Sequence, residues 1–321
     1  MTTADYATEL QTLSDGSTTV RFDAFRDIAW DAPGMDISAD DPRWILVPYD
    51  PIAMTDWYKG LPREKQIEVG RWRVTNQIKA GVQFESMLVI GLQQSAMRMR
   101  NGSPEFRYSM HEMQEECNHN QMFQGLVNRV GEDVPGMPRL LRALIPIIPL
   151  LSYSPVAFVM AILAGEEPID HFQKVQCRAD IDMPPLVKRI MQIHIAEEAR
   201  HISFAHKFIT EHVARSTRFQ RAVLGVYLPL IMRIAADAIQ RPPAEFVRKF
   251  DVPGSAMRQA FWEHPEATKQ LGEYFADVRK LAEDIGLLNS RTRWLWRRLG
   301  IDGGTARYRS QPVEFRRTTV N

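Results

Sequence analysis

The sequence Glu115-Glu116-Cys117-Asn118-His119 returns further along the chain as Glu197-Glu198-Ala199-Arg200-His201, with His194 one turn before the second copy. On a helix the i,i+3 step puts a carboxylate and an imidazole on one face, and His194, Glu198 and His201 extend that row at i, i+4 and i+7. Both groups interrupt apolar stripes. Glu116 and His119 fall between Met113 and Phe123, and the second set falls between Met191 and Ala205. Glu85 likewise continues the row Ile78, Val82, Leu88, Val89 and Leu92. A fourth acid comes from Glu166-Glu167-Pro168-Ile169-Asp170-His171, inside an otherwise apolar segment. Stepping four residues from Leu163 selects Glu167, whereas the row Ile162, Ile169 and Phe172 selects Glu166, so periodicity leaves both open.

An unpaired carboxylate in an apolar interior costs several kcal/mol or gives up its charge. Four such acids therefore call for cations. Two Fe(II) ions would cancel four carboxylates, and neutral imidazoles would complete the coordination without changing that sum. In helix bundles, a Glu from each of two helices plus Glu-x-x-His from each of the other two makes a carboxylate-bridged two-metal site of the ferritin-like kind. One Glu-x-x-His arises by chance on many helices. The ordered set Glu, E-x-x-H, Glu, H-x-x-x-E-x-x-H is far more specific. The plainer alternatives are surface i,i+3 pairs for the two motifs, a core arginine partner for Glu85 and a hydrogen-bonded core histidine for His194. Asp170 is expected to stand behind the ligands and orient a histidine. His171, His206 and His212 fall off the inward stripes, and His111 and His264 lie outside the constellation; none is expected to bind metal.

Four long helices must carry these residues. The spacing predicts the first from Pro62 to Asn101-Gly102 and a second from the Ser103 cap and Pro104 to Gly131. The third spans about 155 to 178 behind Ser154-Pro155, and the fourth runs from Pro184-Pro185 to about Arg215. Further helical patterns cover about 218–240 and 265–285, and no strand pattern of useful length occurs. The predicted class is all-α, a ferritin-like bundle at 61–290 with additional C-terminal helices. Residues 1–60 are expected to form an N-terminal arm packed on the bundle, and 291–321 a basic C-terminal tail with no assigned function. The apolar stretch Leu140–Ala164 is broken by Pro146, Pro149 and Pro155, which argues against a lipid-exposed helix. It is expected to be a buried connection leading into a core helix.

With 321 residues the chain can bury a sizeable core, and 45% hydrophobic with 25% charged residues excludes disorder as the dominant state. Forty basic against 39 acidic residues leave a net charge of +1, which sets nucleic-acid binding aside. Two cysteines, Cys117 and Cys177, without a C-x-x-C pair, argue against a disulfide framework or cysteine-ligated zinc. No secretory leader is visible in the first residues, and a cytoplasmic location with no membrane partner is expected.

Over roughly residues 40–290 the sequence resembles the p-aminobenzoate N-oxygenase family of ferritin-like di-iron oxygenases. The resemblance rests on Gln83-Phe84-Glu85, Gly102-Ser103-Pro104-Glu105-Phe106-Arg107-Tyr108, Glu115-Glu116-x-x-His119 and His194-x-x-x-Glu198-x-x-His201. A third histidine ahead of the final Glu-Glu pair is the family's discriminating feature, matched here by His194. The resemblance implies the ligands Glu85, Glu116, His119, Glu167, His194, Glu198 and His201, family spacing favouring Glu167 over Glu166. It also implies two iron ions and O2 as co-substrate for oxidation of an amine nitrogen on a small molecule; manganese stays open because it accepts the same hard-ligand set. An external electron donor and a homodimer complete the expectation. The same ligand set also serves a C–H hydroxylase, a desaturase or an iron-oxidising protein without organic substrate.

Overall fold

In the computed structural model, which describes residues 3–178 and 181–303, the apolar stripes fold into six long helices. These are α1 (Thr3–Thr19), α2 (Arg63–Ala96), α3 (Pro104–Val130), α4 (Pro155–Arg178), α5 (Pro185–Ala214) and α6 (Arg218–Gln240). No strand occurs among the described residues, so the all-α, ferritin-like expectation holds. Helix α2 packs along α3 and α4 along α5, while α3 against α5 closes a four-helix core; α1 lies on α3 and α5, and α6 on α4.

Local signals account for the boundaries. Pro104, Pro155 and Pro185 occupy first helical positions, where a missing N–H costs nothing. Gly131 ends α3 in the left-handed conformation with φ 72°. Thr217 and Gln220 form a reciprocal capping box ahead of α6. Ser103 sits at the expected cap of α3, yet its hydroxyl goes to the Glu105 carboxylate instead of the helix backbone.

Two apolar packs flank a polar belt. Tyr6, Tyr108, Leu163, Phe204 and Met232 belong to one, and Trp44, Met122, Phe123, Leu186 and Ile190 to the other. The arm segment around Trp44 lies directly on α2, because a Cβ added to Gly70 would stand 1.8 Å from the Trp44 carbonyl oxygen. Beside it, Arg73 Nε meets Asp50 Oδ2 at 2.7 Å and its Nη2 donates to the Gln240 carbonyl at 3.1 Å, tying arm, α2 and the end of α6 together. Both side chains are 2% exposed. Arg73→Met leaves Asp50 buried without its cation and is expected to cost about 3–5 kcal/mol by chemical denaturation, with Arg73→Met/Asp50→Leu recovering most of it. A single-variant loss under about 1 kcal/mol would contradict a structural role for this pair.

Several segments depart from expectation. The N-terminal arm carries a 17-residue helix, α1, held by Tyr6 and Leu10 with Ser14 and Ser17 also buried. Two small hydroxyl residues on its inner face hide the apolar period. The predicted helix over 265–285 is two helices, Pro265–Tyr274 and Ala276–Asp284, broken at Phe275. The 140–164 connection breaks at its prolines into Arg139–Leu144 and Ile148–Tyr153 before α4, but it is not buried throughout: Leu140, Ile147, Leu150 and Tyr153 are exposed. From residue 291 the chain stays on the body as far as it is described, with Trp296 and Ile301 buried in the same apolar pack as Leu228 and Met232. Arg293 pairs with Glu283 and Asp302 there. Arg307, Arg309, Arg316 and Arg317 lie outside the described residues. The segment Arg218–Lys249 is long and apolar enough, by length and composition, to cross a membrane, with 33% of the apolar window buried.

Candidate metal centre

The polar belt gathers Glu85 from α2, Glu116 and His119 from α3, and His194, Glu198 and His201 from α5, none more than 4% exposed. They fall into two groups in which one ligand atom from each residue lies within 4.8 Å of the others. Glu85, His119 and His194 make one; Glu116, Glu166, Glu198 and His201 make the other. Glu198 Oε1 stands 3.3 Å from His194 Nε2, 3.4 Å from His201 Nδ1 and 3.7 Å from His119 Nδ1. Glu116 reaches His119 with one oxygen at 3.3 Å and His201 with the other at 2.9 Å. These two carboxylates therefore occupy the seam between the groups.

The third-helix acid differs from the expectation. Glu167 points to His206 Nε2 at 2.8 Å, and it is Glu166 that joins the centre. Pro168 follows directly inside α4, where it cannot donate to the carbonyl one turn back, so helical spacing is a poor guide there. Asp170 is likewise not the orienting acid: it pairs with Lys174 at 2.6 Å. Gln173 takes that position, its Oε1 2.8 Å from His194 Nδ1. His171, His206, His212, His111 and His264 stand outside both groups.

Each of the three ring systems is used twice. His119 presents Nε2 to Glu197 at 2.9 Å and His201 presents Nε2 to Glu115 at 2.8 Å, leaving both Nδ1 atoms facing the centre. His194 is reversed, with Nδ1 on Gln173 and Nε2 turned inward. An outer nitrogen that donates to an acceptor carries one ring proton, so the inner nitrogen of a neutral ring has a lone pair for a metal. Burial disfavours the charged form, yet without cations Glu116 raises His119, and Tyr108 and Glu198 raise His201, well above the usual histidine range, so a metal would displace their inner protons. The first glutamate of each doubled pair thus orients the histidine of the opposite helix. Glu115 is held by Arg200 Nη2 at 2.8 Å, and Glu197 by the Phe22 backbone N–H at 3.1 Å. Sequence reasoning overlooked Glu115 and Glu197, although the doubling itself was the signal.

Without cations the cluster is electrostatically frustrated. Burial, followed by the charge of Glu116, pushes Glu85 well above the carboxylate range, and burial and Glu198 do the same to Glu166. Burial opposes ionisation of Glu116 too, yet His119 and His201 outweigh it and hold the group at about 2. Burial drives His194 down to about 3, the neutral form that a metal requires. Glu85 Oε2, both oxygens of Glu166 and Glu198 Oε2 are buried with no hydrogen-bond partner, and Glu116 Oε1 and His201 Nδ1 have only each other, at 2.9 Å. Buried acceptors are rarely left so, and a convergent set of lone pairs from carboxylates and imidazoles suits divalent cations of the iron and manganese type. The donor set fits such ions.

Glu112, one turn before Glu116, was also overlooked. It is 1% exposed, and burial raises it from 4.5 to about 8, so its carboxyl carries a proton at neutral pH. Between those values the folded chain binds a proton that the unfolded chain releases, and stability falls as pH rises through the window. In metal-free protein Glu112→Gln is expected to raise the melting temperature by about 2–4 °C relative to wild type at pH 8 and by much less at pH 5. A gap independent of pH would contradict a protonated Glu112.

An apolar cavity of about 110 Å³ opens beside Glu85 and His194. Its walls include Ile78, Phe84, Phe123, Phe172, Val187 and Met191, and the arm covers it with Trp44 to Val47.

Comparison with known proteins matches residues 3–286 to the family described as P-aminobenzoate N-oxygenase AurF, so the match includes α1 as well as the bundle. A protein of Mycobacterium bovis (strain ATCC BAA-935 / AF2122/97) is 48% identical over 310 residues, covering 96% of this chain and 91% of that relative. Proteins of Mycobacterium tuberculosis strains CDC 1551 / Oshkosh and ATCC 25618 / H37Rv match with the same identity and coverage. All three relatives are described as uncharacterised.

Proposed function

Since the chain belongs to the p-aminobenzoate N-oxygenase AurF family, we propose that it is a di-iron oxygenase acting on a small organic amine. In this reading Glu85, His119 and His194 hold one iron, and Glu116, Glu166, Glu198 and His201 hold the other. The observation that carries it is the convergence of buried, unpartnered carboxylate oxygens and inward ring nitrogens from four helices on two adjoining positions. When bound, the iron pair would supply electrons to O2 and act as a Lewis acid beside the substrate.

The protein's own residues do the rest. Glu115, Glu197 and Gln173 fix the three imidazoles in the ring orientation and tautomer that keep a lone pair inward. Glu112 holds a proton on its carboxyl in the same buried belt, one turn before Glu116. The apolar wall facing Glu85 and His194 excludes water and leaves room for an organic molecule. Such a cavity favours an oxygenase over a protein that only oxidises or stores iron. Electrons come from an external donor.

The test is O2 consumption by reduced, iron-loaded protein with a panel of arylamines. N-oxidised product, absent with Glu116→Ala, is the expected result. Carbon oxidation alone would point to a hydroxylase or desaturase on the same centre, and iron oxidation without organic product would remove the oxygenase reading.

A further inference from the structure

We propose that the cavity beside Glu85 and His194 selects an uncharged, largely hydrocarbon substrate and rejects one that carries a carboxylate. The inference rests on the oxygenase reading for calling its occupant a substrate, but the selectivity comes from the walls alone. A carboxylate leaving water needs a cation or several N–H donors at its destination.

Apart from the proposed ligands Glu85 and His194, the charged residues of the described lining are Arg43, Asp50 and Asp182, two acids against one cation before any substrate enters. Arg43 is already engaged. Its Nε lies 2.9 Å and its Nη2 2.7 Å from Asp41 Oδ2, a forked pair that balances the guanidinium charge, and Asp182 adds a second carboxylate nearby. The neighbouring Arg73 is also engaged, its Nε donating to both Asp50 oxygens at 2.9 and 2.7 Å and its Nη2 to the Gln240 carbonyl at 3.1 Å. What remains polar on the wall is neutral: the amides of Gln77, Gln173, Gln176 and Gln240, with Gln173 Oε1 already on His194 Nδ1. Gln240 is 7% exposed and its Oε1 is buried with no hydrogen-bond partner, an acceptor suited to a neutral N–H or O–H and carrying no charge to balance a carboxylate. The rest is aliphatic and aromatic, from Ile78 and Phe84 on α2 to Phe172 on α4 and Val187 on α5.

p-Toluidine and p-aminobenzoate share a ring and an amine and differ in a methyl group against a carboxylate, so they isolate the charge. Equilibrium binding of each to the full-length protein at pH 7.5, with metal content measured in the same samples, is expected to favour p-toluidine by at least tenfold, about 1.4 kcal/mol. Equal or tighter binding of p-aminobenzoate, or no binding of p-toluidine, would overturn the proposal. Ile78→Arg, which places an uncommitted cation on the wall, is expected to move the preference at least tenfold towards p-aminobenzoate; an unmoved preference would overturn it. Should that variant fail to fold, Ile78→Trp fills the cavity and is expected to weaken p-toluidine at least tenfold, with unchanged binding overturning the placement. Selective p-toluidine binding by protein that takes up no metal would leave the selectivity intact and remove the oxygenase reading instead.

Discussion

Glu198→Ala is expected to lower bound divalent metal from about two ions per chain to one or fewer, because this carboxylate stands within reach of His119, His194 and His201 at once. Stability separates this role from a merely structural one. Metal that binds only the folded state stabilises it by about 4 kcal/mol at a thousandfold excess over its dissociation constant, or roughly 8–16 °C in melting temperature. Wild-type protein is expected to show a rise of that order with Fe(II) or Mn(II), and Glu198→Ala to lose most of it. In the metal-free state the variant should melt no lower than wild type, since it removes one of several crowded acids. An ordinary structural glutamate would behave the other way, with a lower metal-free melting temperature and an unchanged metal response. Metal analysis and paired thermal melts decide between them.

The second large effect separates two neighbours. Glu166→Gln is expected to weaken metal binding by about 10–100-fold or more, since both Glu166 oxygens are buried among Glu116, Glu198 and His201 with no other partner. Glu167→Gln should leave metal content unchanged and cost about 1 kcal/mol through its contact with His206. The reverse outcome, metal lost with Glu167 and kept with Glu166, would restore the ligand that the family resemblance implies and refute the geometry described above.

That pair also marks where reading the sequence stops. The four core helices were legible to within a few residues because capping prolines, Gly131 and apolar periodicity agreed. Glu85, Glu116, His119, His194, Glu198 and His201 were legible because a polar residue on an apolar stripe is conspicuous. Adjacent residues on a helix differ by about 100° in direction, and at Glu166-Glu167 two apolar rows point to different members, with Pro168 disturbing the turn that would decide. Glu115 and Glu197 were missed for a related reason. Each lies one residue off the inward face, a position that reads as surface until a neighbouring helix covers it. Helix α1 was illegible because buried serines replace hydrocarbon on its inner side. Gln173 could be found only in three dimensions, since its partner His194 is on another helix.

Anaerobic titration with Fe(II), followed by iron analysis and X-ray absorption at the iron edge, addresses the metal pair most directly. About two irons per chain are expected, ligated by nitrogen and oxygen and separated by roughly 3.5–4 Å. A single isolated iron per chain, or none retained, would contradict the two-ion centre on which the proposed activity depends.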